Sequence, residues 1–118
     1  MPLKHRLGFF ALAVLISSCS AEGALTSIPD PVATNQVSVR DNNFNPAHVA
    51  VAAGSTVTWT WTGRAQHDVV FEDGTGNSAR QTSGTLARTF AAPGVYRFRC
   101  TPHSTSFGSG MVGQVTVQ

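Results

Sequence analysis

The chain has 118 residues, of which 42% are hydrophobic, eight are Lys or Arg, six are Asp or Glu and two are Cys. That length accommodates one small domain with a single core and leaves no room for a second. With Lys4 the only lysine, and no basic cluster or aromatic-interleaved basic stripe, the sequence lacks the electrostatic footprint of a nucleic-acid binder.

In chain order, Lys4, His5 and Arg6 make a basic start, and Leu7 to Ile16 is then almost wholly apolar. That run is too short to cross a bilayer as a stable helix and has the form of an export signal over residues 1–18. Ile16-Ser17-Ser18-Cys19 resembles the lipobox of bacterial lipoproteins, which implies cleavage before Cys19 and a lipid on its sulfur. Once Lys4 and Arg6 leave with the signal, Arg40, Arg64, Arg80, Arg88, Arg97 and Arg99 balance Glu22, Asp30, Asp41, Asp68, Glu72 and Asp73. Membrane attachment would then rest on lipid and not on charge. The predicted location is periplasmic or at the cell surface, anchored to a bacterial membrane.

Residues 19–34 are small and polar, carry Pro29 and Pro31, and show no period of 2 or 3.6, so they are predicted to be a flexible tether. From residue 35 onward the chain reads as strands. Val37 and Val39 alternate with polar residues, as do Val49 and Val51, and Val57, Trp59 and Trp61 alternate with threonines. His67, Val69 and Phe71 share one parity; so do Tyr96, Phe98 and Cys100, and then Met111, Val115 and Val117. Gly54-Ser55, Gly74 to Asn77, and Pro93-Gly94 supply turns. No mature segment shows a helical stripe, so the predicted fold is all-β, a Greek-key sandwich over residues 35–118.

Alternation also aims side chains. Successive residues of a strand face opposite sides, so the parity that buries Phe98 turns Cys100 inward, that of Val69 and Phe71 turns His67 inward, and that of Val115 and Val117 turns Met111 inward. His103 follows Cys100 in a Cys-x-x-His segment and is expected in a loop, nearest to solvent. His48 has the parity opposite to Val49 and Val51 and is expected to face water. Two imidazoles, one thiolate and one thioether form the ligand set of a mononuclear blue-copper site: soft sulfur suits Cu(I), imidazole suits both oxidation states, and a weak axial Met adds no charge. His67, Cys100, His103 and Met111 are therefore the predicted metal ligands and copper the predicted cofactor. Each cysteine then has its own role, and no disulfide is expected.

Phe44-x-Pro46, Val49-x-Val51-x-x-Gly54-x-x-Val57-x-Trp59, His67-Asp68-Val69-Val70-Phe71, Pro93-Gly94-x-Tyr96-x-Phe98-x-Cys100-x-x-His103 and Gly110-Met111-x-Gly113-x-Val115-x-Val117 together resemble a plastocyanin/azurin-type cupredoxin from Gln36 to Val117. The resemblance makes His67, Cys100 and His103 equatorial ligands and Met111 the axial one. It further implies that the Asp68 N–H donates to the Cys100 sulfur and that the Asp68 carboxylate pins the Cys100 segment through Thr101. Seven residues separate His103 from Met111, a longer spacing than in plastocyanins.

Other chemistries lack their residues. A binuclear copper centre needs a second cysteine in the ligand loop, a multicopper oxidase needs histidines where Arg99 and Thr101 stand, and structural zinc usually takes more thiolates or imidazoles. A thiol buried against a metal lacks the open position a nucleophile needs. The expected function is a non-enzymatic, single-electron shuttle between redox partner proteins, docking transiently as a monomer through Pro102, Phe107 and Val112 around His103. Copper storage, delivery or tolerance is the alternative, and a metal-free adhesive β-sandwich a third.

Overall fold

A computed structural model describes residues 28–118. The expected signal, the lipobox with Cys19 and most of the expected tether lie outside the described residues. Every regular element among them is a strand. These are β1 (Val32–Ala33), β2 (Gln36–Arg40), β3 (Asn43–Asn45), β4 (His48–Val51), β5 (Ser55–Trp61), β6 (Val70–Phe71), β7 (Thr85–Phe90), β8 (Gly94–Ser106) and β9 (Ser109–Val117).

The strands form two mixed sheets packed as a sandwich, one in the order β1-β4-β9-β8-β6 and the other β3-β2-β5-β7. Pairing is parallel for β1 with β4, β4 with β9 and β2 with β5, and antiparallel elsewhere. Period-2 alternation sets the core. Val37 and Val39, Val57, Trp59 and Trp61, then Phe98 and Cys100, and Met111, Val115 and Val117 are all buried. Trp59 bridges the sheets, meeting Phe71 and Phe98 edge-on with ring centroids 5.3 Å apart in both cases, and Phe44 meets Phe98 at 4.8 Å. Each such pair adds roughly 0.5–1.5 kcal/mol beyond simple burial. Phe98 stands two residues before Cys100, so this aromatic cluster fixes the strand end that carries the thiol.

Several expectations need correction. Val32–Ala33, within the segment read as tether, forms β1 and pairs with Val49 and Ala50. His48 does not face water: it is buried, with Nδ1 2.9 Å from Pro29 O and Nε2 2.7 Å from Thr116 Oγ1. The chain around Pro29 covers the sheet face that parity assigned to solvent. Strand β7 escaped the alternation rule because Arg88 stands where an apolar residue would. Its guanidinium lies 4.4 Å from the Phe71 ring centroid and 4.7 Å from that of Phe90, and it is paired with Asp73 at 2.6 Å. A cation that seals an aromatic surface can replace a hydrophobe at such a position.

The residues between His103 and Met111 do not form an open loop. They continue the ladder, with Ser104 opposite Gly110 and Ser106 opposite Ser109, closing at Phe107-Gly108 as a two-residue hairpin. Gly110 adopts φ +92°, and a Cβ there would lie 2.6 Å from the His103 carbonyl oxygen, so this crossing needs glycine on both counts.

Candidate metal centre

The centre forms where the β8–β9 ladder breaks register. Arg99 pairs with Val112 and Ser104 with Gly110, so Cys100 to His103 bulge out opposite the single residue Met111. A bulge of this kind re-aims side chains without ending the strands. It brings Cys100 and His103 to the same point of the sandwich end and sets Met111 across from them, its side chain buried. His103 thus lies within β8 and not in a free loop.

His67 comes from the segment before β6, where its backbone forms a two-way bridge to Gln81 at 3.0 Å in each direction. The buried Trp61 indole N–H donates to the His67 carbonyl at 3.1 Å, anchoring the residue from the opposite sheet. The three polar ligands then converge. Nδ1 of His67 lies 3.2 Å from Nδ1 of His103 and 3.6 Å from Cys100 Sγ, while His103 Nδ1 lies 3.3 Å from the same sulfur. Their ligand atoms all fall within 4.8 Å of one another. His67 and Cys100 are completely buried and Met111 nearly so, leaving His103 alone with partial access to solvent, as its position suggested.

Two carboxylates support this cluster. Asp68, foreseen from the family pattern, accepts from the Thr101 N–H at 2.6 Å and from the Thr101 hydroxyl, tying the residue after Cys100 to the one after His67. Arg80 reaches the same pair, 3.6 Å from Asp68 and 3.3 Å from Thr101 Oγ1. Asp41 was not foreseen. It occupies the two-residue turn between β2 and β3, and its Oδ1 lies 2.9 Å from His67 Nε2. The hydrogen bond from His67, followed by those from the Ala65 and Arg64 N–H groups, holds the Asp41 carboxyl down at about 2. A carboxylate can only accept, so Nε2 carries the proton and the Nδ1 lone pair faces Cys100 and His103.

Burial pushes the Cys100 thiol up from its ordinary range, opposed by hydrogen bonds from the Asp68 and His103 N–H groups. A thiol of this kind stays protonated unless a cation takes the proton's place. Two imidazole nitrogens and a sulfur, with His67 and Cys100 buried and His103 partly so, present three electron pairs to one point. The donor set is soft and nitrogen-rich, suited to copper and poor for magnesium or calcium.

Phe107 is half-buried at the hairpin tip, its ring centroid 5.1 Å from the Arg99 guanidinium, and Pro102 is exposed. Val112, expected beside them on the surface, is only 6% exposed and lines a pocket with Pro29, Val32 and Pro46 instead.

A two-sheet β-sandwich with a His-Cys-His-Met cluster at one end defines the class of mononuclear cupredoxins. The family described as copper binding proteins, plastocyanin/azurin family, matches residues 32–118. Amicyanin-alpha of Methylorubrum extorquens is 33% identical over 114 residues, covering 87% of this chain and 95% of its own. Plastocyanin of Prochlorothrix hollandica is 32% identical over 108 residues, covering 80% of each. Among solved structures, a mutant fern plastocyanin superposes with a TM-score of 0.62 at 25% identity, over 70% of this chain and 99% of its own. The chain belongs to the plastocyanin/azurin family of copper-binding proteins, and its cofactor is copper.

Proposed function

We propose that this protein carries single electrons between redox partners, and that one copper ion would be held by His67 Nδ1, Cys100 Sγ and His103 Nδ1 together with the Met111 thioether. Bound there, copper supplies a one-electron couple between Cu(II) and Cu(I). The observation that carries this reading is the convergence of the three polar donors within 4.8 Å on a strand bulge that the sandwich core holds fixed.

The residues around the cluster resist rearrangement. Asp41 fixes the His67 ring, Asp68 and Thr101 tie the two ligand segments together, and Phe98 packs the strand end. A carrier gains from such rigidity, because ligands that keep one geometry in both oxidation states need little reorganisation for each transfer. Electrons would pass through the partly exposed edge of His103, with Pro102 and Phe107 as apolar neighbours for brief docking. The reading is of a carrier and not an enzyme.

The deciding experiment is potentiometric titration of the copper-loaded protein, followed by dialysis against a copper chelator. A carrier takes up and returns one electron per chain, reversibly, while retaining its metal. Rapid loss of copper to the chelator, with no reversible couple, would instead identify a protein of storage or delivery.

Attachment at a bacterial membrane through a lipid on Cys19 belongs to the same proposal and rests on the Ile16 to Cys19 pattern. Acyl chains stabilise insertion by ~0.8 kcal/mol per buried CH₂. Cys19→Ser should move the protein from the membrane fraction to the soluble fraction, and wild type found soluble and unacylated would refute the anchor.

A further inference from the structure

Asp41 is the feature of the centre that no ligand motif accounts for. It is 26 residues from His67 in sequence, in a turn whose own shape requires no contact with the centre. Yet its place is built. The Arg64 N–H donates to both carboxylate oxygens at 3.0 Å, the Ala65 N–H donates to Oδ1 at 2.9 Å, and His67 Nε2 lies 2.9 Å from that same oxygen. The space is kept open by Gly63, where a Cβ would fall 2.3 Å from Asp41 Oδ1 and 2.7 Å from the Asp41 backbone nitrogen. Two backbone donors therefore orient the carboxylate, and the carboxylate orients the imidazole.

Such a partner does two separable things. Its geometry selects the Nε2–H tautomer and aims Nδ1 at the cluster. Its charge makes the imidazole a stronger donor, as carboxylate partners of ligating histidines do. A stronger donor backed by a full negative charge stabilises Cu(II) more than Cu(I), because the ion of higher charge gains more from it. Arg64 supplies its backbone rather than its guanidinium to this contact.

We infer that Asp41 is the positioning and potential-setting residue of the centre: its carboxylate fixes His67 for metal binding and holds the reduction potential below the value the same ligands would have with a neutral partner. This rests on the copper site proposed above. The test compares wild type, Asp41→Asn and Asp41→Ala for copper stoichiometry, thiolate-to-copper colour, midpoint potential, and separate affinities for Cu(I) and Cu(II). Asn keeps the shape and an oxygen acceptor while removing the charge, so Asp41→Asn should bind one copper and stay coloured. Its Cu(II) affinity should fall about tenfold with Cu(I) affinity nearly unchanged, a rise in potential of about 59 mV. Asp41→Ala also releases the ring and should lose roughly 10–100-fold in affinity for both oxidation states.

Wild-type colour together with an Asp41→Asn potential that differs by less than a twofold change in the equilibrium overturns the role of Asp41 and leaves the copper site standing. A wild type that takes up no copper overturns both. Should either variant fail to fold, nitrogen NMR of the Cu(I) wild type decides. His67 protonated at Nε2, with a solvent-protected proton, supports the inference, and a freely exchanging or absent Nε2 proton defeats it.

Discussion

Removing the Asp68 carboxylate tests how the centre is held. Asp68 is buried and accepts two hydrogen bonds from Thr101, one from the backbone and one from the hydroxyl. Hydrogen bonds to a charged group contribute about 1.5–3 kcal/mol each. The Arg80 contact adds little, since that guanidinium lies 3.6 Å away on a side chain 58% exposed, and exposed pairs contribute about 0–1 kcal/mol. Two effects offset part of the loss in Asp68→Ala: the cost of burying the carboxylate disappears, and water can reach the half-buried Thr101. A net destabilisation of about 2–4 kcal/mol remains, and at about 4–8 °C per kcal/mol for a domain of this size it should lower Tm by about 8–32 °C. Because Thr101 adjoins Cys100, copper affinity should fall with it, about 10–100-fold. Urea unfolding of the metal-free protein gives the first quantity, and competition against a Cu(I) chelator the second. A loss of stability below about 0.5 kcal/mol, with unchanged affinity, would show that the Asp68–Thr101 link does not hold the cluster.

Met111→Leu should keep copper and colour while raising the potential, since the buried site accepts a residue of similar volume at under about 1.5 kcal/mol and a non-coordinating group favours the lower charge; an unchanged potential and spectrum would reduce Met111 to packing. Phe107→Asp should leave the spectrum intact and slow electron self-exchange, measured by NMR line broadening between oxidised and reduced copies, by at least about tenfold, the equivalent of ~1.4 kcal/mol in the encounter; unaltered exchange would move the electron port away from His103. Arg97 and Arg88 hold the Glu72 and Asp73 carboxyls below their ordinary ranges, so both pairs stabilise the fold above the unfolded carboxyl values and lose that contribution as pH falls through the depressed folded ones. Asp73→Asn should therefore flatten the loss of stability of the metal-free protein below about pH 4, and an acid limb identical to wild type would contradict the Arg88–Asp73 link.

What could be read from the sequence was what alternation and ligand identity encode. Val57, Trp59 and Trp61 face one way because a strand has period 2, and the same rule turned Cys100 inward behind Phe98. The rule fails where a neighbour changes what a face meets. His48 has the parity of a solvent-facing residue, but the chain at Pro29 covers it. Arg88 stands at an inward position as a cation over aromatic rings, so β7 lacked its apolar stripe. Val112 adjoins Met111 in sequence, yet both are buried: Met111 joins the core cluster, while Val112 lines a pocket with Pro29, Val32 and Pro46 on the other side of the strand. His103 is expected from the sequence in a loop, whereas pairing of Ser104 with Gly110 and of Ser106 with Ser109 makes the stretch after it a hairpin. Asp41 beside Asn42 and Asn43 looks like turn chemistry and nothing more; its bond to His67 is a long-range contact that no local pattern encodes.

The central claim is that Cys100 is the thiolate of a copper site completed by His67, His103 and Met111. The visible absorption spectrum of the Cu(II)-loaded protein, recorded for wild type and for Cys100→Ser, tests it most directly. Wild type should show an intense thiolate-to-copper band that bleaches on one-electron reduction and returns on oxidation, and Cys100→Ser should fold and have no such band. A colourless wild type with copper bound, or a Cys100→Ser variant that keeps the band, would contradict the assignment.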